Sequence, residues 1–253
     1  MLSQQEYTET YKREFELCFN EVCGKDYYRL KSCPIIPDVV LDVGANVGSF
    51  TTFARCLFPL AQIVAIEPDP VTFAGLKSFV EHLPRVKCFQ LALATGPVWQ
   101  GLSEDTAESY YSATNSYVTQ DQIGFPVEQM ASPPGQAGRD ALPIYNQCPH
   151  ISPISLDALV EKWVCPTDRL LLKLDCEGGE NCIITHKPSL QALRRVDVLT
   201  METHYYTKGT GTEHETNKVL IEHGLVDALK ETHQCVLEEE QRYFGAIKKE
   251  LVF

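Results

Sequence analysis

Three apolar runs in this chain close on carboxylates. Val39 to Phe50 reads Val-Val-Leu-Asp-Val-Gly-Ala-Asn-Val-Gly-Ser-Phe, Gln62 to Pro70 reads Gln-Ile-Val-Ala-Ile-Glu-Pro-Asp-Pro, and Leu170 to Glu180 reads Leu-Leu-Leu-Lys-Leu-Asp-Cys-Glu-Gly-Gly-Glu. A continuous apolar run bounded by turn residues is the pattern of a buried parallel strand. Acids at such strand ends can accept hydrogen bonds from hydroxyls, hold a cation or take a proton. Gly44 and Gly48 let the backbone turn sharply and approach a ligand where a side chain would collide.

Two ligand classes use such a turn. A pyrophosphate dinucleotide wants Gly-x-Gly-x-x-Gly, the second glycine admitting the phosphates to a helix N-terminus. Here Asn46 holds that place, and Asp42, at the end of the first strand, is expected to point its carboxylate toward the pocket. An acid there suits a cationic ligand. The Asp-x-Gly-x-Asn-x-Gly arrangement of Asp42, Gly44, Asn46 and Gly48 resembles the first motif of class I S-adenosylmethionine methyltransferases, whose ligand carries an ammonium and a sulfonium. Glu67 falls nineteen residues past Gly48, about where an acid ending the second strand meets ribose hydroxyls. Standing alone it would read as a solvated loop residue; after this turn, at this spacing, it reads as the ribose ligand.

Together with Ile-Glu-Pro-Asp-Pro at 66–70 and Ser-Leu-Asp-Ala-Leu at 155–159, the Leu-Lys-x-Asp-x-Glu-Gly-x-Glu element of 172–180 resembles the FkbM family of methyltransferases over about Val39 to Tyr205. Cys176 stands where that family commonly has valine, and Gly179 where it commonly has alanine. The resemblance implies S-adenosyl-L-methionine as cofactor, S-adenosyl-L-homocysteine as product, and a hydroxyl oxygen on a sugar or natural-product scaffold as acceptor. An N-methyltransferase and a catalytically silent binding module are the alternatives. The cofactor set expected is Asp42, Gly44, Asn46, Gly48, Ser49, Phe50, Glu67, Pro68, Leu91 near the adenine, Asp175 and Glu177.

Transfer to a hydroxyl needs somewhere for its proton to go. Ligands of open α/β sheets gather at the carboxyl ends of the strands, which brings Asp175, Glu177, Glu202 and His204 around one cleft. Period two puts Glu202 and His204 of Met-Glu-Thr-His on one side of their strand. The catalytic candidates are therefore His204, Glu202 and Asp175, with His204 as general base. Asp175, Glu202 and His204 could also hold a hard divalent cation; the preferred reading has no metal, with Asp175 and Glu177 serving the cofactor ammonium or the N-terminus of the next helix.

The elements that must position these groups alternate along the chain. Strands are expected near 39–44, 62–67, 86–93, 169–175 and 196–203, and helices at about 5–22, 48–57, 70–82, 154–163, 180–193 and 213–223. Residues 233–239 and 241–249 should pair as a hairpin. Alternation of this kind predicts an α/β fold, a mostly parallel sheet with helices on both faces. A C-terminal antiparallel hairpin closing a seven-stranded sheet is the Rossmann-like class I methyltransferase arrangement that the resemblance implies. The helix at 5–22 either packs on the sheet or forms a flap over the cofactor. Residues 1–253 read as one methyltransferase domain, with 1–37 an N-terminal helical extension and 95–150 an insertion or lid near the substrate cleft.

Within 95–150 periodicity disappears and six prolines appear. Such a loop is either disordered or functional; 126–143 is turn chemistry throughout, while Tyr110 to Tyr117 reads as an ordered substrate wall. Its six acids face Arg139 alone, so it would repel anionic acceptors.

At 253 residues, with 44% hydrophobic and 22% charged, the chain can bury a core of its own. Its net charge of −12 disfavours nucleic acid, and the absence of a long apolar stretch disfavours the membrane. A polar N-terminus without a secretory pattern makes the expected location cytoplasmic. The expected partner is a small-molecule or glycan acceptor, and a homodimer stays open. Ten cysteines without a Cys-x-x-Cys pair read as reduced thiols, with Cys56, Cys88, Cys176 and Cys182 as small buried hydrophobes.

Overall fold

A computed structural model of the chain describes residues 12–13, 15–95, 98–102, 117–119, 144–147, 151–176, 183, 186–202, 224–238 and 243–252, with 98–102, 117–119 and 144–147 described by backbone alone. The apolar runs of the sequence become the centre of a seven-stranded sheet. β1 (Val39–Val43) pairs in parallel with β2 (Gln62–Ile66) and with β9 (Leu170–Leu174), which pairs in parallel with β10 (Val198–Glu202). β3 (Val86–Phe89) closes one side, while β11 (His233–Glu238) and β12 (Tyr243–Lys248) close the other, giving the order β11-β12-β10-β9-β1-β2-β3. β12 runs antiparallel to both its neighbours, the closing hairpin read from the sequence.

Both faces of the sheet are covered, which explains why β1 and β9 are apolar at every position but one each. On one face Leu41, Val43, Leu172, Leu174, Leu199 and Met201 meet α4 (Leu156–Trp163), α6 (residues 224–229) and Leu193. On the other, Val40, Leu171, Val198 and Ile63 meet Phe50, Phe53 and Ala54 of α2 (Ser49–Leu57) and Val22, Tyr28, Leu30 and Ile35 of the N-terminal segment. Asp157 explains the Ser-Leu-Asp-Ala-Leu motif: its Oδ1 accepts 2.9 Å from the buried Ser189 hydroxyl, tying α4 to α5 (Lys187–Ala192).

Several expectations are corrected. The run 86–93 is not one strand: β3 ends at Phe89, and Leu91–Leu93 leaves the sheet as β4 to pair with β8 (Ser152–Ile154), carrying Leu93 into the core beside α4. The 95–150 stretch contains β5 (Val98–Leu102), β6 (Tyr117–Thr119) and β7 (Ile144–Gln147), which form an antiparallel sheet of order β6-β5-β7. Cys56 is exposed rather than a buried hydrophobe, because it falls on the outer side of α2. The readings for Tyr110 and Tyr111, for 126–143, for Cys182 and for a helix at 213–223 lie outside the described residues. Among those described, no helix is long and apolar enough to cross a membrane.

Candidate functional site

The site lies at the carboxyl ends of β1, β2, β9 and β10. Gly44 and Gly48 take positive φ of 74° and 94°, and Asn46 joins them at 49°, so the chain leaves β1 in a tight left-handed turn before α2 begins. The groups these glycines spare are the chain's own, not a ligand's. A Cβ at Gly44 would collide with the Asp175 carbonyl oxygen, and one at Gly48 would lie 2.6 Å from Val80 Cγ1 of α3 (Pro70–Val80). Each glycine therefore sets how closely the turn seats on β9 or α3.

The amides of this turn are already committed. Gly44 and Ala45 N–H donate to the Ile66 carbonyl at 3.0 and 2.9 Å, Asn46 N–H to Glu67 Oε2 at 3.0 Å, Val47 N–H to Asn46 Oδ1 at 2.6 Å and Gly48 N–H to the Ala45 carbonyl at 2.9 Å. A phosphate cradle needs such amides open toward the ligand. All five are spent within the chain, so the turn itself offers no amide to a pyrophosphate.

Glu67 closes the turn from β2. Its Oε1 accepts from the Asp69 amide at 3.0 Å, while Asp69 itself caps α3 by accepting from the Val71 and Thr72 amides at 3.0 and 2.7 Å, with Pro70 at the first helical position. Ile-Glu-Pro-Asp-Pro is thus a strand end, a fixed carboxylate and a helix cap in five residues. Burial pushes the Glu67 carboxyl up to about 8, against the two amides that favour its charged form.

Asp42 does not point into the pocket, contrary to expectation. It is fully buried, its Oδ2 accepts 2.6 Å from the Thr51 hydroxyl of α2, and Lys173 Nζ lies 3.4 Å from its Oδ1. Asp42, Lys173 and Thr200 are register partners across β1, β9 and β10, so their side chains form one polar row on the α2 face of the sheet. Lys173 also donates 2.6 Å to the Gly44 carbonyl and lies 3.5 Å from Asp175 Oδ2. Burial pushes the Asp42 carboxyl up. Burial alone would weaken the Lys173 ammonium, but the Asp175 and Asp42 carboxylates outweigh it and hold its pKa above the usual lysine value.

A cavity of about 90 Å³ opens above this row, walled by Gly44, Ala45, Asn46, Ser49 and Phe50 of the turn and α2, by Lys173, Asp175 and Glu202 of the strands, and by Cys18, Glu21, Val22, Tyr27 and Tyr28. That volume suits one end of a ligand, since sites for a whole cofactor run to several hundred cubic ångströms. Three acids, Glu21, Asp175 and Glu202, face it against Lys173. The donor set fits a cationic, hydroxylated ligand such as a sulfonium nucleoside carrying an amino-acid tail. The structure thus gathers Gly44, Asn46, Ser49, Phe50, Asp175 and Glu202 on one cavity, while Glu67, itself buried and outside that lining, accepts from the Asn46 amide. Pro68 follows Glu67, and its carbonyl accepts 3.4 Å from the Gln90 side chain. Leu91, half-buried, packs against the core on the β3 side. Glu177 and His204 lie outside the described residues. A wider hollow of about 680 Å³ adjoins the cavity, sharing Glu21 and Tyr27 with it and lined otherwise by Lys25, Asp26, Arg29 and Glu238.

Sequence reasoning missed Tyr28, Lys173 and Thr51. A lone lysine inside Leu-Leu-Leu-Lys-Leu was a usable signal, because a buried ammonium requires a counter-charge on a neighbouring strand. Nothing in the sequence marked Tyr28. The N-terminal segment both packs and covers: in α1 (residues 15–19), Phe15 stacks on Phe79 of α3 at 4.6 Å and Phe19 meets Phe53 of α2 edge-on at 6.4 Å, while Cys18, Glu21 and Val22 wall the cavity. A π-helical turn, Asn20–Gly24, follows α1.

Residues 42–225 match the family described as Methyltransferase FkbM domain. The chain is 51% identical over 66 residues to the 31-O-demethyl-FK506 methyltransferase FkbM of Streptomyces tacrolimicus, covering 26% of this chain and 25% of that protein. It is 31% identical over 87 residues to the methyltransferase sdnD of Sordaria araneosa, covering 33% of each. A third alignment, to the AMB antimetabolite synthetase AmbE of Pseudomonas aeruginosa, is 25% identical over 248 residues and covers 91% of this chain but 11% of that protein. In every case the chain spans a third or less of the relative.

Proposed function

The chain belongs to the FkbM methyltransferase family, and from that premise we propose that it transfers the methyl group of S-adenosylmethionine to a hydroxyl oxygen of a sugar or natural-product scaffold. The observation that carries this reading is the pairing of a glycine turn whose five amides are all spent with a cavity faced by Glu21, Asp175 and Glu202. Such a turn offers no amide to phosphate, and the excess of acids favours positive charge.

Bound there, S-adenosylmethionine would supply an electrophilic methyl on a sulfonium. Glu67 would receive the ribose diol, Asp175 with Glu177 the ammonium, and Leu91 the adenine edge, while Asn46, Ser49, Phe50 and Pro68 shape the cradle. Asp42 serves indirectly, by fixing Lys173 and through it the Gly44 carbonyl and Asp175. Glu202 and His204 would take the acceptor's proton, a contribution of roughly 10²- to 10⁴-fold, alignment of the partners supplying the rest. The hollow lined by Lys25, Asp26, Arg29 and Glu238, with the Tyr27 ring, offers a hydroxylated acceptor charged partners of both signs. A relative named for an O-demethyl substrate also supports oxygen as the acceptor atom.

The test is to supply donor labelled in its methyl group together with a panel of hydroxylated and amino acceptors, and to locate the label. An alkali-stable methyl ether is the expected product. Label on nitrogen would give the amine reading, and homocysteine-product binding without any transfer would leave a binding module.

A further inference from the structure

We propose that Tyr28 is a positioning residue for the amino-acid end of the cofactor, its hydroxyl holding the Asp175 carboxylate in the orientation that receives the ammonium. The inference rests on the methyl-donor reading above. Its residue lies upstream of the 42–225 family match, so the family domain by itself does not contain it.

Tyr28 Oη donates to Asp175 Oδ2 at 2.6 Å, across 147 positions of chain. Asp175 keeps a quarter of its side chain on the cavity, whereas Tyr28 is buried. The tyrosine itself has little freedom. Its ring meets Phe50 edge-to-face at 5.4 Å and Tyr27 at 4.9 Å, and its carbonyl accepts 3.1 Å from the Thr200 hydroxyl of β10. Burial, then the Asp175 charge, pushes its pKa well above that of an ordinary tyrosine, so the hydroxyl stays a donor rather than becoming a base.

Lys173 gives that donor its purpose. Its Nζ lies 3.5 Å from the same Oδ2 and 5.5 Å from the Tyr28 ring centre, so the carboxylate is drawn toward the buried lysine and away from an incoming ligand. A short bond from a fixed hydroxyl sets one geometry between those pulls. Binding then orders one fewer side chain, which is how pre-organisation raises affinity.

The experiment compares two nucleosides by calorimetry: S-adenosylhomocysteine, which has the amino-acid tail, and 5′-methylthioadenosine, which lacks it. Tyr28→Phe keeps the ring and removes the hydroxyl. It is expected to weaken S-adenosylhomocysteine severalfold, the part of that hydrogen bond's worth that pre-organises the carboxylate, and to leave methylthioadenosine unchanged. In an Asp175→Asn background the same change should cost no further affinity, because its only route is through that carboxylate. Equal losses for both nucleosides, a homocysteine affinity that does not move, or a full loss persisting when the carboxylate has already been replaced by the amide would each overturn the assignment. Wild-type chain that binds neither nucleoside would overturn the methyl-donor reading itself.

Discussion

Asp42 and Lys173 stand opposite one another in the register of two adjacent parallel strands, and Nζ of the lysine lies 3.4 Å from Oδ1 of the aspartate with both side chains out of water. The pair ties the turn after β1 to the end of β9, because Lys173 also reaches the Gly44 carbonyl and Asp175. Truncating the cation leaves Asp42 buried and uncompensated. Lys173→Met is therefore expected to lower unfolding free energy by about 3–5 kcal/mol, measured by denaturant titration. A loss below ~1 kcal/mol would mean that Asp42 is already neutral in the fold, where burial pushes it.

Glu67 gives a pH signature. Its folded-state pKa of about 8 lies above the usual 4.5, so between those values the folded chain holds a proton that the unfolded chain has released. Stability contributed by this proton is complete below the lower value and is lost as pH rises through the upper one. The melting temperature of ligand-free wild type should fall from about pH 5 to about pH 8 more steeply than that of Glu67→Gln. Parallel curves would place the carboxyl in its ordinary range.

The parts of this arrangement visible in the sequence are those written in short-range chemistry. Apolar runs at 39–43 and 170–174 gave two central strands because both faces of each are covered, and Ile-Glu-Pro-Asp-Pro announced its own helix cap. What depends on partners distant in the chain was not legible. The side-chain direction of Asp42 is decided by a lysine 131 positions away, and the break at Gln90 by a strand, β8, that begins 62 residues on. Tyr28 enters the site only because the N-terminal segment folds back over α2.

His204 is expected to act as the general base. His204→Ala should lower turnover on the true acceptor by roughly 10²-fold or more while leaving S-adenosylhomocysteine affinity nearly intact, the signature of an interaction used in the transition state. Turnover within a few fold of wild type would return the proton-accepting role to Glu202 or Asp175.

Turnover should survive extensive chelation, and added Mg²⁺ should change it little, if the carboxylates serve cofactor and helix. Activity lost in chelator and restored by a divalent ion would contradict that assignment.

Calorimetric titration of wild type and Glu67→Ala with S-adenosylhomocysteine and with NAD tests most directly whether the spent amides and converging acids select a methyl donor. The expected result is saturable binding of S-adenosylhomocysteine, weakened by about 2 kcal/mol in the variant through the loss of two hydrogen bonds to the ribose, and no heat from NAD. Binding of NAD without the homocysteine, or a homocysteine affinity unchanged in Glu67→Ala, would contradict it.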